Sequence, residues 1–116
     1  MITPDEAEAM HILRQMKIMI NNFGWRRSYT PWKRRHDGYT ILSAREIVLL
    51  SRYGRISDVP AIDVADAALV AALPRGFRDV TKYNDHDRTT LRGVILTISR
   101  AMLRIERLER DHEKLV

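Results

Sequence analysis

Apolar residues recur at Ala9, Ile12, Leu13, Met16, Met19, Ile20 and Phe23, in steps of three and four that line one side of a helix. Thr3-Pro4-Asp5-Glu6 is a start signal for that helix: Thr3 is a capping residue, Pro4 suits the first turn, and Glu6 completes a capping box. Gly24 fits its stop. A second capping box, Ser43-Ala44-Arg45-Glu46, predicts a helix through Ile47, Leu49, Leu50 and Tyr53, ended by Gly54. The third helix is expected to start near Pro60 or Asp63 and to run through Val64, Ala67, Ala68, Leu69, Val70 and Leu73, until Pro74 and Gly76 stop it. Its alanines suit close approach to a neighbouring helix.

The longest periodic stretch starts near Arg88 or Thr89. Leu91, Val94, Ile98, Ala101, Ile105, Leu108, His112 and Leu115 form a sustained heptad seam. Ile95 and Met102 widen the apolar face of its first half. Past Leu108 only the narrow seam continues among charges, so the end of this helix, from about residue 105, is expected to project or to meet a partner. Such a helix is roughly 40 Å long at about 1.5 Å per residue. Phe77 to Asp87 reads as a connector.

Residues 25–42 break the pattern. Pro31 blocks a continuous helix, Asp37-Gly38 is a turn signal, and Tyr39-Thr40-Ile41-Leu42 has strand-like composition. An irregular loop and a short hairpin pairing Arg27–Trp32 with Tyr39–Leu42 both remain open. The expected fold is mainly α: one compact four-helix domain over residues 1–116, with a basic loop or small β-hairpin after the first helix and a long C-terminal helix.

Charge singles out the same irregular stretch. The formal net charge is +5, and Trp25 to His36 holds five Arg or Lys residues with no acid until Asp37, so the rest of the chain is nearly neutral. A hydrophobic content of 45% with 30% charged residues is that of a globular chain. With 0 cysteines, disulfides, thiolate metal sites and cysteine nucleophiles are excluded. No apolar run is long enough to span a membrane, and the acidic opening Met-Ile-Thr-Pro-Asp-Glu is unlike a signal peptide. A cytoplasmic location is therefore expected.

The order of pieces resembles a family. A first helix ending in Gly24-Trp25 precedes a short central helix and an alanine-rich helix ending Leu73-Pro74. Tyr83-Asn84-Asp85 and a threonine then lead into a helix carrying Val94 and Ala101. This arrangement is similar to small uncharacterised proteins of actinobacteria and their phages, which commonly carry Trp-Asn-Asp before the last helix. Tyr83 stands where Trp is usual. The resemblance implies an origin and a fold rather than an activity.

Three groups of residues are candidates for function. Arg26, Arg27, Lys33, Arg34 and Arg35 have the charge to contact phosphates, and Tyr29 or Trp32 the ring to stack on a base. The competing reading has Trp25 and Trp32 anchoring the loop while the arginines are solvated. Tyr83-Asn84-Asp85-His86-Asp87 offers carboxylates and an imidazole for a metal or for acid–base work, but these are also capping residues, and capping of the long helix that follows is the favoured role. Ile105, Leu108, His112 and Leu115 are the candidate oligomer interface, with a homodimer or a host protein as partner. No Gly-rich phosphate loop, nucleophile elbow or zinc-protease motif occurs. The sequence thus points to a non-enzymatic protein without a cofactor. Its two open functions are nucleic-acid binding through residues 25–36 and protein interaction through the C-terminal helix.

Overall fold

A computed structural model describes residues 2–28, 38–55 and 59–114, with the side chains of the last helix described as far as Leu108. The described residues form five helices: α1 (Pro4–Phe23), α2 (Ile41–Tyr53), α3 (Pro60–Ala72), α4 (Val80–Asp85) and α5 (Leu91–Lys114). α1, α3 and α5 pack on one another, α2 lies against α1, and α4 meets α2.

α1 starts at the residues its sequence predicts, with Thr3 as cap, though the Glu6 carboxylate accepts from the Thr3 hydroxyl at 3.0 Å rather than closing a box on its backbone. Glu6 N donates to Thr3 Oγ1 at 3.1 Å, Pro4 occupies the first turn, and Gly24 ends the helix with φ +95°. Its stripe of Ala9, Ile12, Leu13, Met16 and Ile20 is sealed from solvent. Val94, Ile98 and Ala101 of α5 and Ala61, Ala65, Ala68 and Leu69 of α3 complete this core. The alanines allow α3 to sit close to its neighbours, because little side chain stands between the backbones.

α2 differs from its prediction. Its cap is Thr40, not Ser43: Ser43 N donates to Thr40 Oγ1 at 3.0 Å and Thr40 N to Ser43 Oγ at 2.8 Å. Ile41 and Leu42 are therefore the first helical residues rather than the end of a strand, and among the described residues the only ladder contact is an isolated parallel bridge between Trp25 and Tyr39. The strand expected at Tyr39–Leu42 is thereby overturned, while Tyr29 to Trp32 of its expected hairpin partner lie outside the described residues. The competing principle is capping: a buried Ile41 side chain and a reciprocal cap outweigh the strand preference of a short β-branched run.

The connector from Phe77 to Asp87 contains α4, a fifth helix of one and a half turns, started by Asp79 accepting from Lys82 N at 2.9 Å. α5 begins at Leu91, where Gly93 N donates to Thr90 Oγ1 at 3.1 Å. Thr90 is thus its cap. No helix is long and apolar enough to cross a membrane among the described residues.

Candidate functional site

The chain is closed on itself at the two ends of the basic segment. Tyr39 N donates to Gly24 O at 2.9 Å and Arg26 N to Tyr39 O at 3.1 Å. Gly38 makes this approach possible. Its φ is +85°, and a Cβ there would fall 2.7 Å from Gly24 C and 2.8 Å from Trp25 N. Residues 24–28 and 38–40 therefore form one fixed base.

Asn84 holds that base to the domain. It is buried, and its Oδ1 accepts from Trp25 Nε1 at 2.8 Å and from Ile41 N at 3.1 Å. Its Nδ2 donates to Arg26 O at 3.1 Å and to Asp85 Oδ1 at 3.0 Å. One amide thus joins the segment after α1, the start of α2 and α4. Tyr83 beside it is buried, with Phe77 edge-on at 5.3 Å, and its carbonyl accepts from Thr89 Oγ1 at 2.6 Å. The Tyr83 hydroxyl lies 2.8 Å from where a Cβ on Gly93 would be, so a side chain there would have to displace the tyrosine tip.

Asp85 and Arg27 close the outer edge. Ser28 N donates to Asp85 Oδ1 at 2.7 Å, and the Ser28 hydroxyl donates to Asp85 Oδ2. Burial alone would raise the Asp85 pKa. The hydrogen bonds from Ser28 and Asn84 and the nearby Arg27 charge outweigh it, so its carboxyl stays below the usual range. Arg27 donates to the carbonyls of His86 at 3.3 Å, Asp87 at 3.1 Å and Thr89 at 3.1 Å, and its guanidinium stacks 5.0 Å from the Trp25 ring centre.

These contacts change the roles expected of several residues. Asn84, Asp85 and Asp87 do not cap the last helix; that role falls to Thr90. Asn84 and Asp85 instead bind chain more than forty residues earlier, a tertiary role that local spacing cannot reveal. His86 ends α4, and its Nδ1 accepts from Arg88 N at 3.1 Å. No three His, Asp or Glu side chains come together as a metal site among the described residues. Arg27 is a brace for backbone carbonyls, and Arg26 is half-buried with its carbonyl on Asn84. Tyr29, Trp32, Lys33, Arg34 and Arg35 lie outside the described residues.

At the other end of the molecule, Ile105 is 1% exposed and belongs to the core, so the seam open to solvent begins at Leu108, which is 44% exposed. His112 lies in α5 with its side chain outside the described set, as is Leu115. Sequence reasoning passed over Arg100, Arg104 and Arg107. All three are exposed, and their spacing of four and three puts them on one face of α5. Between α1 and α2, Arg52 grips Glu8 through two bonds of 2.7 Å, and the Tyr53 hydroxyl also donates to Glu8. The bonds from Arg52 and Tyr53 hold the Glu8 carboxyl at about 2, against an ordinary 4.5.

Residues 4–104 match the family of unknown function DUF6197. The chain belongs to that family. No curated protein and no solved structure matches it.

Proposed function

We propose that this member of DUF6197 is a non-enzymatic nucleic-acid-binding protein, an accessory or regulatory factor of phage type. Its contact surface is the segment from Trp25 to His36. The observation that supports this reading is the fixed base. Two glycine backbones, the Asn84 amide and the Asp85–Ser28 pair hold both ends of a segment in which Lys33, Arg34 and Arg35 follow one another without an acid. Rigid support lowers the entropy cost of binding a phosphate backbone. Arg27 leaves the contact set, because carbonyls of the domain occupy its guanidinium.

The test is salt-dependent binding to duplex DNA and to RNA. With Arg26, Lys33, Arg34 and Arg35 as contacts, log K falls against log salt with a slope of about −3 to −4. Replacing Arg34 and Arg35 by Ala flattens that slope by about 2 and weakens all sequences alike. Absence of binding at about 50 mM salt, where such contacts are strongest, overturns the proposal.

A second reading, a protein-interaction module using the end of α5, is favoured by one observation. Leu108 is half exposed on a helix whose preceding seam residue, Ile105, is already covered by the domain itself.

A further inference from the structure

The outer surface of α3 and α5 carries a furrow with two unlike ends. At one end Val64, Ala67, Ala68 and Ala71 of α3 face Ile105 and Leu108 of α5 across an apolar cleft of about 320 Å³. Adjoining it, a cleft of about 270 Å³ lies between Ala71 and Ala72 and the side chains of Arg100, Leu103, Arg104 and Arg107. Ala71 and Arg104 line both, so the two clefts are neighbours. The furrow exists for a sequence reason. α3 presents alanine where larger residues would fill the angle between two packed helices, and Leu103 and Leu108 stand half exposed beside it.

Its charge is one-sided. None of Arg100, Arg104 and Arg107 has an ionic partner among the described residues, whereas Arg45 and Arg52 each grip a carboxylate. An apolar trough edged by three guanidinium groups without an ionic partner among the described residues complements a particular shape: a helix with leucine-like anchors on one face and carboxylates along its flank. A nucleic acid would satisfy the arginines but leave Val64, Leu103 and Leu108 against a charged backbone.

Resting on the reading of this protein as an interaction module, we propose that the α3–α5 furrow is a docking site for an acidic amphipathic helix of a protein partner. The apolar anchors sit over Ala67 and Ala71 beside Leu108, and the carboxylates pair with Arg100, Arg104 and Arg107.

The probe is a synthetic amphipathic helix of about 18 residues, roughly 27 Å long, with leucines on one face and glutamates flanking them. Its binding to the full chain is followed by fluorescence anisotropy. A peptide with lysine in place of each glutamate serves as the control, and a duplex DNA as competitor. The glutamate peptide binds and the lysine peptide does not. Arg104→Glu weakens binding by about tenfold or more, as expected for reversing a charge at such a contact. Ala71→Trp, a change at an exposed position that spares the core, fills the furrow and abolishes binding. Thermal melts of both variants establish that they are folded. Equal binding of the two peptides, or unchanged binding by folded Ala71→Trp, overturns the furrow. Leu115→Asp separates the two levels. If it alone abolishes binding while Arg104→Glu and Ala71→Trp do not, the end of α5 is the contact, and the module reading survives without the furrow. If DNA binds in a manner abolished by Arg104→Glu and the peptide does not bind, the surface belongs to nucleic acid and the proposal falls.

Discussion

Asn84 and Glu8 both collect hydrogen bonds from residues far along the chain, yet the two clusters differ in what surrounds them. Asn84 is 2% exposed and joins three segments through four bonds. Glu8 takes three bonds, from Arg52 and Tyr53, but its side chain remains 37% exposed. Shorter bonds and formal charges belong to Glu8. The larger energetic role belongs to Asn84. Breaking a buried pair leaves groups that water cannot reach, at about 1–3 kcal/mol each, whereas exposed ion pairs contribute about 0–1 kcal/mol. Burial, not bond length, ranks the two.

The sharpest way to break this comparison is Asn84→Ala. It strands Trp25 Nε1, Ile41 N and Arg26 O, and the expected loss in a denaturant melt is about 3–5 kcal/mol. A loss below about 1 kcal/mol would put Asn84 on a par with a surface pair. Next is Gly38→Ala, where a positive φ and a backbone clash coincide. The expected cost is about 2 kcal/mol or more, measured the same way, with the amide signals of Tyr39 and Arg26 shifting first.

Acid distinguishes the two clusters by a smaller effect. Both Asp85 and Glu8 have folded pKa values below their ordinary ones, so each contributes stability that is present above the unfolded pKa and lost as pH falls through the folded one. For Glu8 the window runs from 4.5 down to about 2. Exposure limits the contribution of Glu8, so Glu8→Gln changes the acid limb of a stability–pH curve only slightly. Asp85→Asn, which removes the titrating carboxylate but leaves an amide oxygen to accept from Ser28, flattens the same limb. The smallest expected change is in Glu8→Gln at neutral pH, under about 1 kcal/mol, and it vanishes in about 1 M salt, where the Debye length is about 3 Å. A Glu8→Gln loss comparable to that of Asn84→Ala would invert the ranking.

The sequence shows these two regions very unequally. The helices that make the core were legible because their apolar residues repeat at helical spacing: Ile12, Leu13, Met16 and Ile20 in α1, and Val94, Ile98 and Ala101 in α5. α4 was missed because six residues are too few to display a period. The start of α2 was displaced by three residues because Thr40 and Ser43 are both capping types, and only burial of Ile41 chooses between them. At the site, the turn signal at Gly38 was visible, but its reason was not, because the atoms it would clash with lie across a loop. Asn84 looked like a local cap. Its partners, Trp25 and Arg26, are close only after α1, α2 and α4 have packed, and no spacing rule reaches that far. The arginine row at 100, 104 and 107 was readable from its spacing alone, but it mattered only once the alanines of α3 were found beside it.

The close contact of Gly24 with Gly38 has a consequence for how freely this protein can vary. Because the two strands of backbone are joined below the segment between them, the length of that segment is nearly uncoupled from the stability of the helices. Doubling it adds only about 0.6 kcal/mol of closure entropy. On the proposed reading of this segment as the contact surface, the domain is a socket: sequences of different length and charge fit between Ser28 and Gly38 while Asn84, Asp85 and Arg27 keep the same grip.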